Sequence, residues 1–150
     1  MYYLAYGSNL NVQQMRKRCP TAKVVGQTIL KGWRLRFRGK PDSGVATIEP
    51  QNGYSVPVGI WQISEMDEIA LDFYEGYPFL YFKATIIIDL NGQQIGAMTY
   101  LMDETYPYNV PSFDYLCTIG DGYTAFGMEK QTLREAVNTI KEMVNNDRKD

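Results

Sequence analysis

Two stretches of this chain hold candidates for ligand binding and proton transfer. The first is Tyr6, Gly7, Ser8, Asn9 and Leu10, which closes a short strand-like run beginning at Tyr2. A glycine placed directly after a strand lets the backbone turn sharply and lets a ligand approach it. If Asn9 or a neighbour opens a helix, successive N–H groups at the turn point outward with no intrahelical partner. Such a nest suits an anion, and a substrate carboxylate would fit it. The plainer alternative is a strand-to-helix connection with no ligand.

The second stretch is Glu75, set among Phe73, Tyr74, Tyr77, Pro78 and Phe79. A carboxylate at a helix C-terminus faces the negative end of the macrodipole. Partial burial among aromatics would disfavour its charged form further, and both effects raise its pKa. A glutamate tuned in this way serves as a proton shuttle near neutral pH. A solvated carboxylate at the helix end is the competing reading.

The absences narrow the chemistry. The 150 residues include no histidine, which removes Ser-His and Cys-His nucleophilic machinery. The usual zinc ligand sets are also missing, because Cys19 and Cys117 lie far apart without partners at ligand spacing. Both read as plain buried thiols rather than a disulfide. No metal site and no cofactor are expected, so proton transfers fall to Asp, Glu, Tyr or Lys.

The totals fit an ordinary soluble domain: 45% hydrophobic, 21% charged and a net charge of -2. That charge gives no electrostatic footprint for nucleic acid or an anionic membrane surface. Arg34, Arg36 and Arg38 could form a basic face for RNA, but a solvated strand face is the favoured reading. No apolar run is long enough to span a membrane, and no signal-peptide pattern opens the chain, so a cytoplasmic location is expected.

The elements that must position the two stretches can be read from periodicity and turn chemistry. After the strand from Tyr2 to Tyr6, Asn9 or Asn11 can cap a short helix through Met15 and Arg18, ended before Pro20. Residues 33–38 alternate as a strand with one aromatic and aliphatic face and one arginine face. Residues 45–48 and 56–63 read as two more strands, separated by a turn around Asn52 and Gly53. Ser64 and Asp67 resemble a capping box for a helix to about Tyr74, with Gly76 as its terminator. Residues 81–90 and 94–101 flank Asn91 and Gly92, a strong hairpin signal. The Pro-, Gly- and Tyr-rich stretch 103–127 reads as an ordered loop. Leu133, Ala136, Val137, Ile140, Met143 and Val144 fall on one helical face, and the polar tail from Asn145 is expected to fray. Many strands with few helices, and no βαβ rhythm, predict one α+β domain over residues 1–150, with a mixed, barrel-like sheet.

At these two sites the sequence resembles the γ-glutamylcyclotransferase-like family. The likeness runs in order through Tyr3-Leu4-Ala5-Tyr6-Gly7-Ser8-Asn9-Leu10, Gly44-Val45-Ala46-Thr47-Ile48 and Val58-Gly59-Ile60-Trp61. It continues through Leu71-Asp72-Phe73-Tyr74-Glu75-Gly76, Tyr100-Leu101-Met102, and Pro111-Ser112 with Tyr115. The resemblance implies a compact mixed β-barrel flanked by helices, a substrate-binding loop at residues 6–10, and a catalytic role for Glu75. It further implies that the hydroxyls of Tyr81, Tyr100 and Tyr115 line the pocket. Its reaction is cyclisation of a γ-glutamyl group to 5-oxoproline with release of the attached amine. The partner implied is thus a small γ-glutamyl substrate, with neither nucleic acid nor membrane involved. A Gly-Ser-Asn-Leu loop is closer to enzymes of γ-glutamyl amino acids than to those of γ-glutamylamines. The leaving group and the oligomeric state are not legible in the sequence. The rival class is a non-catalytic module that binds a small carboxylate in the same pocket.

Overall fold

The computed structural model describes residues 1–149. A short first strand, β1 (Tyr2–Ala5), passes through a 3-10 turn (Ser8–Leu10) into helix α1 (Val12–Arg18). Asn11 is the cap of α1, its side chain accepting from the Gln14 N–H at 3.0 Å. Two long strands follow, β2 (Lys23–Lys40) and β3 (Ser43–Gln62), and then helix α2 (Glu65–Glu75). The β4 (Tyr81–Leu90) and β5 (Gln93–Met102) hairpin leads to helices α3 (Phe113–Ala125) and α4 (Gln131–Lys149).

The strands form one five-stranded sheet in the order β2-β3-β1-β5-β4. It is mixed: β1 runs antiparallel to β3 and parallel to β5. The α+β class and the mixed sheet match expectation. The barrel does not close, because among the described residues no ladder joins the outer strands β2 and β4. Side-chain packing bridges those edges instead, with Leu90 Cδ1 3.3 Å from the position a Cβ would take on Gly26.

Local signals held where the backbone itself sets the geometry. Asn91 and Gly92 both have positive φ, 54° and 82°, as a tight hairpin between right-twisted strands requires. Ser64 and Asp67 make a reciprocal capping box, and Gly76 ends α2 in the left-handed region at φ 68°. Asp67 is buried, which works against its charge, yet hydrogen bonds from Ser64 and Thr21 outweigh that and lower its pKa.

Several expectations need correction. The strands expected at 45–48 and 56–63 are one strand, and the turn residues between them form an irregularity opposite Gly32. There the pairing jumps from Lys31↔Ser55 to Trp33↔Pro50. The arginine face of β2 is not solvated throughout: Arg36 and Arg38 are buried. Both pair with Glu49, at 3.1 and 2.9 Å, and Arg38 also donates to the Glu104 and Tyr106 carbonyls. Strand periodicity places side chains on a face but does not say what covers that face. Cys117 is exposed rather than buried, while Cys19 is buried, and both are free. The stretch read as a loop contains α3, a helix of 13 residues capped by Ser112.

The core takes the inward faces of the sheet together with Met15, Leu71, Ile119 and Ile140. The predicted apolar face of α4 lies in it, with Leu133, Ala136, Val137 and Ile140 buried. That helix continues through the polar segment expected to fray, as far as Lys149. Among the described residues no helix is long and apolar enough to cross a membrane.

Candidate active site

Helix period brings Glu75 inward. It stands one turn after Leu71, which is fully buried, so the two share a face. Two of the neighbours expected to bury it do not. Phe73 and Phe79 are 91% and 89% exposed, being out of phase with that face or beyond the helix end. The carboxyl group reaches instead into a cleft walled by tyrosines from other elements: Tyr3, Tyr6, Tyr81, Tyr100 and Tyr115. Burial pushes its pKa up to about 7, opposed by the nearby Arg18 charge and by a hydrogen bond from Asn9.

The 3-10 turn forms the other wall. Gly7, Ser8 and Asn9 line the cleft. Their three N–H groups meet no acceptor among the described residues, whereas Leu10 N–H is spent on the Gly7 carbonyl at 3.0 Å. Leu10 faces away from the cleft; its side chain is fully buried where a Cβ on Gly59 or Gly122 would collide with it. Gly7 permits close packing, since a Cβ there would lie 3.0 Å from Ala46 Cβ and 3.6 Å from the Tyr115 hydroxyl. Of the residues 6–10, four therefore face the cleft and one holds the turn to the core.

Asn9 ties the two walls together. Its Nδ2 donates to Glu75 Oε1 at 3.0 Å and to the Tyr3 hydroxyl at 2.8 Å. Its Oδ1 accepts from Arg18, and its backbone carbonyl accepts from Trp61 Nε1 at 3.1 Å. The sequence reading missed Tyr3, Arg18, Ala46 and Asp72 as parts of the site. Arg18 lies four residues after Gln14 on α1, where their side chains meet at 3.3 Å, but that spacing carries no signal of the cleft. None existed for Ala46 either, whose place opposite Gly7 follows from sheet pairing.

The hydroxyls differ in what they have left to offer. Tyr81 donates to the Ala46 carbonyl at 2.7 Å and Tyr100 to Asp72 Oδ1 at 2.5 Å. Tyr6 donates to the Tyr100 carbonyl. These three can present only lone pairs to a ligand. Tyr115 accepts from Ala46 N–H at 3.0 Å and Tyr3 accepts from Asn9, so each keeps its own proton to give. Burial raises all five phenol pKa values, which leaves the rings neutral. The cleft thus has a donor side, at the turn with Tyr115 and Tyr3, and an acceptor side at Tyr81 and Tyr100. It is narrow between these side chains. Its depth holds about one water, and it opens to solvent at its mouth.

The family of proteins described as gamma-glutamyl cyclotransferase, AIG2-like, matches residues 3–117, which hold every cleft residue named above. The chain belongs to this family. Among solved structures, a γ-glutamyl cyclotransferase superposes with a TM-score of 0.79 at 25% identity, over 94% of this chain and 86% of the other. An uncharacterized human protein gives 0.78 at 28% identity, over 93% and 85%. YkqA from Bacillus subtilis shares the fold at a TM-score of 0.76 and 22% identity, over 97% of this chain and 54% of its own. No curated protein matches the chain significantly by sequence. The γ-glutamyl cyclotransferase-like fold is therefore established for this chain, and its family is one of cyclotransferases that bind small γ-glutamyl substrates.

Proposed function

We propose that this protein is a γ-glutamyl cyclotransferase that converts a γ-glutamyl amino acid, peptide or amine to 5-oxoproline and the free amine. The observation that carries the reading is the Glu75 carboxyl, raised to about 7 and aimed into the cleft beside the free amides of the turn. In the reaction the substrate's own α-amine forms a bond to the γ-carbonyl carbon, so no enzyme nucleophile is required. Glu75 takes a proton from that amine during attack and returns one to the leaving nitrogen as the γ-amide bond breaks. A pKa near neutrality makes both halves of this exchange accessible.

The donor side of the cleft suits the substrate α-carboxylate, held by the N–H groups of Gly7, Ser8 and Asn9 and by the Tyr115 hydroxyl. The acceptor side at Tyr81 and Tyr100 suits the α-amine before attack. Holding the amine against its own γ-carbonyl supplies the orientation on which an intramolecular cyclisation depends.

The test is 5-oxoproline release from a panel of γ-glutamyl amino acids, γ-glutamyl amines and glutathione. Product from at least one member is expected. Tight binding across the panel without product would make the chain a binding module instead. For the best substrate, Gly7→Ala is expected to raise KM about tenfold or more, because the new methyl group presses on Ala46 Cβ at 3.0 Å and stands 3.6 Å from the Tyr115 hydroxyl that faces the cleft. The fold should persist, since the overlap with Ala46 Cβ is relieved by a few tenths of an ångström of movement in β3. An unchanged KM would remove the turn from the site.

A further inference from the structure

Arg18, at the end of α1, touches the cleft only through another residue. Its guanidinium lies over the Tyr74 ring, 3.4 Å from the centroid, and donates to Gln14 Oε1 and Asn9 Oδ1, the latter at 2.5 Å. A guanidinium has donors and no acceptor, so the amide atom it meets must be the oxygen. That leaves both hydrogens of the Asn9 amide for the Tyr3 hydroxyl and Glu75 Oε1. Asn9 is buried, so no bulk water competes for these positions.

Without that anchor the amide is symmetric in shape and free to rotate. Rotated by half a turn, it would present Oδ1 to Glu75 and accept a hydrogen bond from the protonated acid. In the observed orientation it can only donate, which favours the carboxylate. We propose that Arg18 is a positioning residue: by locking the Asn9 amide with its N–H groups toward Glu75, it keeps Glu75 ready to accept a proton.

This inference rests on the reading of Glu75 as the proton carrier. The groups facing Glu75 are Tyr3 and Tyr6 from β1 and its end, Tyr81 from β4, Tyr100 from β5, Tyr115 from α3 and Arg18 from α1. The tyrosines stay neutral across the working range. Asp72 stands behind Tyr100, paired with Lys83 at 2.9 Å. Arg18 is thus the charge set directly against Glu75 among the described residues, and its influence runs through Asn9 as well as through space.

The experiment follows Glu75 itself, by the carboxyl carbon resonance of glutamate-labelled protein titrated with pH, alongside the pH profile of kcat/KM. Arg18→Met is expected to raise the Glu75 midpoint by about one pH unit, the scale of losing a close opposite charge and its hydrogen-bond network. The loss in kcat/KM should accordingly be several-fold greater at pH 6 than at pH 9. Arg18→Lys retains a donor for Asn9 Oδ1, so its midpoint should return most of the way. In an Asn9→Ala background, Arg18→Met should shift the midpoint by less than half as much, because the amide that transmits the effect is gone. A full-sized shift in that background would overturn the proposal, leaving only direct charge. A pH-independent loss, or a lysine variant no better than methionine, would overturn it equally. If no γ-glutamyl compound is turned over, the titration still decides this point while the proposed reaction fails. If product forms and the midpoint does not move in Arg18→Met, the reaction stands and the inference falls.

Discussion

Glu75→Gln is expected to lower kcat for 5-oxoproline formation by about 10²–10⁴-fold, the range typical of losing one general acid/base. Glutamine keeps the shape of the side chain, and its oxygen still accepts from Asn9 Nδ2. What it lacks is a proton that can be taken and returned. The same substitution should stabilise the protein, and the sign follows from linkage. The folded pKa is about 7 against an ordinary 4.5, so between these values the folded chain holds a proton that the unfolded chain has lost. Stability therefore falls as pH rises through that window and stays at the lower level above it. At about 1.4 kcal/mol per pH unit, the ceiling on this penalty at pH 8 is on the order of 3 kcal/mol. Urea midpoints should show the glutamine variant more stable than the parent at pH 8, with the difference shrinking toward pH 4.5. Turnover at the parental rate would refute the role of Glu75. A less stable variant at pH 8 would refute its burial as the cause of the raised pKa.

A second large effect is expected at Gly122, inside α3. On helix propensity alone, Gly122→Ala should stabilise by roughly 1 kcal/mol. Packing predicts the reverse. A Cβ there would stand 2.6 Å from the Leu10 carbonyl carbon and 2.7 Å from the Asn11 nitrogen. Those are backbone atoms, so no rotamer change relieves the overlap, and α3 must retreat from the 3-10 turn. Overpacking of this kind typically costs about 1–3 kcal/mol, and Tm should drop by several degrees, at roughly 2–4 °C per kcal/mol. Activity should fall further than stability does, because the strained backbone is the same turn that presents Gly7, Ser8 and Asn9 to the cleft. Gly120 is the internal control: it lies in the same helix with nothing within 4 Å of its Cβ position. Gly120→Ala should raise Tm. If both alanines behave alike in thermal melts, α3 does not buttress the turn.

The same glycine shows why α3 escaped the sequence reading. Gly120 and Gly122 within a stretch that also holds Pro107 and Pro111 weigh toward loop when only local preference is counted. Local preference counts the propensity cost of glycine, whereas contact with a partner far along the chain offsets it. The hairpin at Asn91 and Gly92 and the capping box at Ser64 and Asp67 were legible because their geometry lies within a few residues. The continuity of β3 was not, since only the partner strand β2 reveals that residues 51–54 are an irregularity rather than a break. Arg36 and Arg38 likewise read as exposed until the segment carrying Tyr108 covers them.

The two stretches of chemistry divide in the same way. Three things were legible along the chain: a glycine turn after the first strand, a glutamate one helical turn beyond an apolar position, and, through the absence of histidine, a restriction of proton transfer to Asp, Glu, Tyr or Lys. These are properties of single segments, read from period and residue type. Long-range packing is what makes the segments meet, brings Asn9 to within 3.0 Å of Glu75, and has tyrosines of four other segments do the burying in place of the adjacent phenylalanines. Sheet order and helix docking set those distances, and a pKa raised by burial depends on what surrounds a carboxyl in space rather than along the chain.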